Sequence, residues 1–187
     1  MFIRTERLFL RPGWPEDSEE VLTLLHEEEV ARNVPAASLP TSAREVREAL
    51  QEPRGKLMPY FFITIPAGRG TKLVGCIWLF KEGPDTELFC WIGKDYRGRG
   101  YATEAVRAVV TQARALGYRR ILASHFADNK GAAQVLKEVG FEPTGETRKR
   151  FCAGRGGDVT SVIYVADCRA SFGGGDDDGS EGDRQAA

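Results

Sequence analysis

Residues 95–110 read DYRGRGYATEAVRAVV and place an Arg-Gly-Arg-Gly sequence directly before a run with helical spacing of its apolar residues. The N-terminus of a helix carries unpaired N–H groups and a partial positive charge, and glycines let an anion approach the backbone closely. A phosphate site would explain these glycines, and so would an ordinary surface turn. The choice between the two depends on the neighbouring segments.

The segments on both sides of this stretch have the pattern of strands. Three strand-like runs precede it as an antiparallel meander: YFFITIPA, KLVGCIWLFK and ELFCWIGK. The helical spacing that begins at Ala102 ends at Gly117, and RRILASHF then has the pattern of another strand. A strand, a helix and a strand with about 27 residues between Ile92 and Arg120 predict a right-handed parallel crossover.

The remaining segments complete the predicted domain. Phe2–Arg11 alternates as one strand that Pro12 ends, and two amphipathic helices follow in EDSEEVLTLLHEEE and SAREVREALQE. Asp128 or Asn129 is expected to cap a short helix that Gly140 ends.

Two final strands are expected at about 146–152 and 159–167, around the turn AGRGGD. Residues 1–170 are thus predicted to form one α+β domain. Its central sheet is mixed and mostly antiparallel, with one parallel β-α-β crossover and helices on both faces.

Charge is distributed unevenly along the 187 residues. The chain has 26 basic and 27 acidic residues, but its last fifteen hold five acids and one arginine, so the rest carries about +3. We predict that residues 171–187 are a disordered acidic tail. A body charge of +3 without an aromatic-interleaved basic stripe is too weak to indicate a nucleic-acid-binding protein.

Cysteine and histidine usage indicates a reducing compartment and no metal site. The four cysteines form no CxxC motif and are expected to be free thiols, and neither of the two histidines has a second ligand nearby in sequence. No signal-like N-terminus or membrane-length apolar run is present in the sequence, so a cytoplasmic protein without a membrane partner is expected.

The order of these segments resembles the GNAT family of acetyl-CoA-dependent N-acetyltransferases. Arg97, Gly100 and Ala102 fit the family's Q/R-x-x-G-x-G/A loop, in its expected place between strand and helix. The runs ELFCWIGKDYRGRGYATEAVRAVV, ADNKGAAQVLKEVGFEPTGETRKR and TERLFLRP look most like the branch of the RimJ and RimL ribosomal-protein acetyltransferases. The similarity extends over about residues 3–168.

The resemblance implies acetyl-CoA as co-substrate. Backbone N–H groups from about Gly98 to Thr103 would bind the diphosphate, and the backbone of the preceding strand would pair with the pantetheine arm. The competing phosphate loop, GRGTK at 68–72, lies between two hairpin strands and is interpreted as a turn. The expected cofactor-binding residues are Cys90, Trp91, Ile92, Arg97, Gly98, Arg99, Gly100, Tyr101, Ala102, Thr103 and Asn129.

Two residues are candidate catalytic bases. Glu87 alternates with Phe89 and Trp91 on one strand face near the expected thioester, and His125 lies late in the next strand. A base matters because a lysine amine with a pKa near 10.4 is neutral in only about one molecule in a few thousand at pH 7. The family's usual proton donors are missing, since Ala132 and Leu136 stand where relatives often have Ser and Tyr.

The function that this resemblance implies is transfer of acetyl to a primary amine by direct attack in a ternary complex. The acceptor would be a protein N-terminus, as in the ribosomal-protein branch, or a small amine, and a homodimer is compatible with the resemblance. The acceptor is expected to enter beside the first two helices and the turn at Ala153–Asp158. The alternative is a non-catalytic acyl-CoA sensor or scaffold that has kept the fold.

Overall fold

The computed structural model describes residues 1–52, 58–68 and 70–169, so the predicted acidic tail lies outside the described residues. Five α-helices and eight strands are present in this part of the chain. The helices are α1 Ser18–Leu25, α2 Glu28–Ala31, α3 Ala43–Gln51, α4 Tyr101–Ala115 and α5 Lys130–Val139. The strands are β1 Ile3–Arg4, β2 Phe9–Arg11, β3 Tyr60–Ala67, β4 Gly70–Glu82, β5 Asp85–Ile92, β6 Arg120–Phe126, β7 Glu142–Cys152 and β8 Gly157–Asp167.

All eight strands belong to one mixed sheet with the order β1-β2-β3-β4-β5-β6-β8-β7. Every neighbouring pair is antiparallel except β5 and β6, which are joined by the α4 crossover and run parallel. The predicted fold class, with its single parallel crossover, is confirmed.

The first predicted strand is wrong in one respect, because the chain reverses within it. β1 and β2 pair with each other, with Ile3 opposite Leu10. Thr5 closes the reversal: its N–H donates to the Leu8 carbonyl at 3.0 Å, and its hydroxyl accepts from the Leu8 N–H at 3.0 Å. A side chain that bonds the local backbone in this way competes with an extended strand, which periodicity alone does not register.

The strand β7 begins earlier than the predicted 146–152, because a bulge admits residues that usually interrupt strands. The register between β7 and β8 shifts between Pro143 and Thr147, and Gly145 has a φ of +82° in the left-handed region. β7 is an edge strand, where a proline costs no hydrogen bond to a further strand.

The sheet carries helices on both faces, as predicted, and β5 contributes to both cores by alternation. Leu88 and Ile92 belong to the core that includes α4 residues such as Val106. Phe89 and Trp91 belong to the opposite core, with α1 and α3 residues. Because successive side chains of a strand point to opposite faces, one short strand fixes the position of both helical layers.

The parallel pair β5 and β6 separates soon after it forms. Its register pairs are Glu87 with Leu122 and Leu88 with Ala123, whereas β6 continues to pair with β8 as far as Phe126 opposite Ser161. β6 therefore follows β8 away from β5, and a gap opens beside the C-terminal half of β5.

No helix in the described ranges is both long and apolar enough to span a membrane.

Candidate active site

The predicted phosphate loop has the geometry of an anion site. Gly98 and Gly100 have φ values of +70° and +78°, and Gly100 is the N-terminal cap of α4. Within the described part of the chain, no acceptor bonds the backbone N–H groups of residues 98–103. The N–H of Arg97, in contrast, donates to the Lys94 carbonyl at 3.3 Å. Consecutive unpaired amides at a helix N-terminus form a concavity that favours a phosphate oxygen.

A cavity of about 500 Å³ joins this loop to the gap between β5 and β6. Most of the predicted site residues line it: Cys90, Trp91, Ile92, Arg97, Gly98, Gly100, Tyr101, Ala102, Thr103, His125 and Asn129. Two predicted residues, Glu87 and Arg99, are not among the residues that line it. One continuous cavity thus connects the glycine loop before α4 with the edge of β5 that β6 leaves unpaired.

Two arginines of the loop hold its shape. Arg97 Nε donates to the Ile92 carbonyl at 2.9 Å, which ties the loop to the end of β5. Arg99 Nη2 donates to the Asp95 carbonyl at 2.9 Å, so this guanidinium braces the turn before the loop.

Cys90 lines the cavity, but its environment disfavours the thiolate. Burial, with a smaller contribution from Cys76, raises the pKa of the Cys90 thiol well above its usual value. The thiolate is the nucleophilic form of cysteine, so this thiol is poorly suited to form an acetyl-enzyme.

We predict that Cys90→Ala retains turnover within about threefold of the native rate, since no covalent step depends on the sulfur. The measurement is steady-state release of thiol from acetyl-CoA with a saturating amine. A 100-fold loss, together with an acetylated Cys90 peptide detected by mass spectrometry of the native chain, would contradict direct transfer.

Glu87 is buried beneath the point where β5 and β6 separate, with 1% of its surface exposed. Its carboxylate accepts hydrogen bonds from Ser124 Oγ and from Arg150 Nη2, the latter at 2.5 Å. Ser124 lines the cavity, whereas Glu87 does not. The carboxylate therefore lies one side chain away from the cavity, with each oxygen already accepting a hydrogen bond.

His125 presents a ring nitrogen that is unpartnered among the described residues. Its Nδ1 lies 2.9 Å from the Phe126 carbonyl, while Nε2 is buried without a hydrogen-bond partner there. A carbonyl oxygen only accepts, so Nδ1 carries the proton and Nε2 of the neutral ring keeps its lone pair. The side chain is 9% exposed and lines the cavity. An imidazole in this tautomer can accept a proton there.

Asn129 confirms the predicted cap of α5, because its Oδ1 accepts from the Ala132 N–H at 3.1 Å. Its Nδ2 donates to Asn33 Oδ1 at 2.9 Å. Asn33 also lines the cavity, and sequence reasoning missed it. No local pattern predicts contact between residues 33 and 129, since the chain after α2 meets the start of α5 only in the tertiary structure.

The predicted acceptor side has one wall formed by α2, its following loop and the β7–β8 turn. The Ala153 N–H donates to the Ala36 carbonyl at 3.0 Å, and Arg155 Nε donates to the Arg32 carbonyl at 2.6 Å. Arg155 also forms a two-pronged ion pair with Asp128, before α5. The β7–β8 turn therefore contacts the chain between the two helices that were expected beside the acceptor.

Comparison with known proteins adds sequence relatives. YycN of Bacillus subtilis strain 168, an uncharacterized N-acetyltransferase, is 31% identical over 97 residues, which are 49% of this chain and 62% of YycN. A second relative from the same organism, YdgE, is 28% identical over 99 residues, 50% of this chain and 62% of YdgE. The chain thus spans less than two thirds of the length of these curated relatives.

Solved structures share the fold at lower identity. A GNAT-family acetyltransferase from Bacillus anthracis has a TM-score of 0.74 and 22% identity, over 90% of this chain and 99% of its own. RimL, a ribosomal L7/L12 alpha-N-protein acetyltransferase solved with coenzyme A, has a TM-score of 0.72 and 17% identity. The match covers 89% of this chain and 98% of RimL. Ribosomal-protein acetyltransferases are therefore among the structural neighbours.

The model of the acetyltransferase (GNAT) domain family matches residues 7–142. This match covers well over half of the chain and includes the loop, α4, the β5–β6 gap and α5. The chain belongs to the GNAT acetyltransferase family.

Proposed function

We propose that this protein is an N-acetyltransferase that moves acetyl from acetyl-CoA to a primary amine by direct attack in a ternary complex. The observation that carries the proposal is the set of N–H groups at residues 98–103, which have no acceptor in the described part of the chain. All of these residues except Arg99 line the same cavity as the edge of β5 at residues 90–92. Together the two features match a ligand with a diphosphate at one end and an extended arm at the other.

The residues present fit coenzyme A. The amides at the start of α4 would hold the diphosphate, with Gly98 and Gly100 allowing close approach. The edge of β5 at residues 90–92 would pair with the arm, since β6 has separated from it there. Acetyl-CoA supplies an activated thioester, and a backbone N–H of this edge would polarise its carbonyl.

His125 is proposed as the general base. The attacking amine must lose a proton, and Nε2 is a buried acceptor with no other partner in the described chain. Glu87 was the other sequence candidate, but Ser124 and Arg150 already occupy its oxygens. Its role in this proposal is to position Ser124 in the cavity wall beside His125.

The leaving thiol is proposed to depart without a general acid. Leu136 is buried and lines the cavity where relatives often have tyrosine, and Ala132 offers no side-chain donor. A thiol with a pKa of about 8.5 is a tolerable leaving group unassisted.

The proposed acceptor is a protein N-terminus, with a small amine as the second choice. An α-amine with a pKa near 8 is neutral in roughly one molecule in ten at pH 7, so it demands much less of a single base than a lysine does. RimL, whose structure is similar, is named as an alpha-N-protein acetyltransferase, which acts on such an α-amine.

The test is incubation of the full chain with acetyl-CoA and an amine panel, with free thiol followed over time. The panel contains short peptides with a free α-amine, the same peptides blocked at the N-terminus but carrying lysine, and polyamines. We expect turnover fastest with free α-amines and product mass increased by one acetyl group. Tight acetyl-CoA binding with no turnover on any amine would instead support the non-catalytic sensor.

A further inference from the structure

The N-terminal segment Thr5–Arg7 contacts the phosphate loop through the first turn of α4. The Glu104 carboxylate accepts from Thr5 Oγ at 2.6 Å, from the Arg7 N–H at 2.8 Å and from Arg7 Nε at 2.7 Å. Burial by itself would raise the pKa of Glu104, but these hydrogen bonds outweigh it and lower that pKa. Glu104 is thus an ionised anchor that holds a segment almost a hundred residues away in sequence.

Arg7 also reaches the backbone of the loop itself. Its Nη1 donates to the Arg99 carbonyl at 2.8 Å, and its guanidinium lies 5.1 Å from the centre of the Tyr101 ring. Its Nη2 lies 3.1 Å from the position that a Cβ on Gly100 would occupy. One planar side chain therefore contacts three consecutive residues of the loop.

The bond to Arg99 fixes the direction of the next N–H group. In a trans peptide the carbonyl and the following N–H point in opposite directions. Because the Arg99 carbonyl is held toward Arg7, the Gly100 N–H is turned to the opposite side of the loop. That N–H is one of the amides without an acceptor in the described chain.

We propose that Arg7, anchored by Glu104, is a positioning residue that orients the Arg99–Gly100 peptide for binding the diphosphate of coenzyme A. The inference rests on the proposed function, since it concerns the same ligand. The inference assigns a role to the TERL sequence at residues 5–8, which lies outside the loop motif. Arg7 acts through the backbone, so its geometry matters more than its charge.

The decisive substitutions are Arg7→Lys and Arg7→Met. Lysine keeps the positive charge but has no planar fork to bond Glu104 and the Arg99 carbonyl together. We expect both variants to weaken coenzyme A binding by about tenfold or more, equivalent to about 1.4 kcal/mol. If Arg7 served only as a charge near the phosphates, Arg7→Lys would bind like the native chain, and the inference would be overturned.

A comparison of two ligands distinguishes a loss of loop positioning from a general loss of structure. Binding is measured by calorimetry with coenzyme A, and turnover with acetyl-pantetheine, which lacks the diphosphate. We expect kcat/KM for acetyl-pantetheine to stay within about threefold of the native value in both Arg7 variants, because the reacting end of the cavity is unchanged. Equal losses for both ligands would identify a merely structural role.

Arg44→Met is the matched control. Arg44 pairs with Glu48 across one turn of the exposed helix α3, far from the loop in sequence, at an N–O distance of 2.8 Å. It should leave coenzyme A binding unchanged. If the native chain fails to bind coenzyme A, the proposed function fails; if the native chain binds and the Arg7 variants bind equally well, only this inference fails.

Discussion

Gly100→Val is expected to lower the affinity for coenzyme A by at least about 100-fold, because the new side chain would strain the Arg99–Gly100 peptide in two ways. Gly100 has a φ of +78°, a conformation that a β-branched side chain strongly disfavours. A Cβ there would also lie 3.1 Å from Nη2 of Arg7, whose Nη1 donates to the neighbouring Arg99 carbonyl. Relief of either strain would turn the loop amides away from the diphosphate. Calorimetric titration with coenzyme A measures the loss.

Gly117→Val is the control for this substitution. Gly117 has a φ of +85° at the other end of α4, and a Cβ there would meet no atom within 4 Å. Gly117→Val would cause a comparable backbone strain away from the loop. This variant should therefore unfold at a lower temperature than the native chain but bind coenzyme A with the native affinity. If Gly100→Val binds within about threefold of the native chain, the loop amides do not hold the diphosphate.

His125→Gln should lower kcat by about 10²- to 10⁴-fold with a lysine-type acceptor, the range credited to acid–base catalysis. The loss should be smaller with an α-amine, which is more often neutral without help. The dissociation constant of acetyl-CoA should not change, because His125 is not part of the loop that is proposed to bind the diphosphate. Steady-state kinetics with both acceptors and a binding titration separate these effects.

The control for His125→Gln is a second histidine that does not line the cavity. His26→Gln serves as the control, because His26 is exposed and its Nε2 lies 2.8 Å from the Pro40 carbonyl. A kcat for His125→Gln that matches the control would remove this residue from the mechanism.

The buried pair of Glu87 and Arg150 explains why an acid in the expected position need not be the base. Both side chains are largely shielded, at 1% and 12% exposure. Removing Arg150 would leave the Glu87 carboxylate buried without its ion-pair partner, whereas removing Glu87 would leave Arg150 only a longer contact of 3.8 Å with Glu82. Glu87 lies at the first of the two register pairs between β5 and β6. Its bonds to Ser124 of β6 and Arg150 of β7 link β5 to both of these strands.

Local patterns were sufficient for the central motif of this protein. The loop with Gly98 and Gly100, the cap at Asn129 and the helix end at Gly117 are set by residues adjacent in sequence. Capping, glycine conformation and hydrophobic period act over one or two turns, so the β5–α4–β6 crossover and the glycine-capped start of α4 could be predicted from the sequence.

The contacts that complete the site were decided by the tertiary structure. Glu104 meets Thr5 and Arg7, Asn129 meets Asn33, and Glu87 meets Arg150, in each case over more than 60 residues. Such pairs depend on which elements become neighbours in the sheet and on its two faces, and no periodicity within one segment encodes that. The separation of β6 from β5 likewise accompanies the pairing of β8 with β6. That sheet order is established only when the whole chain packs.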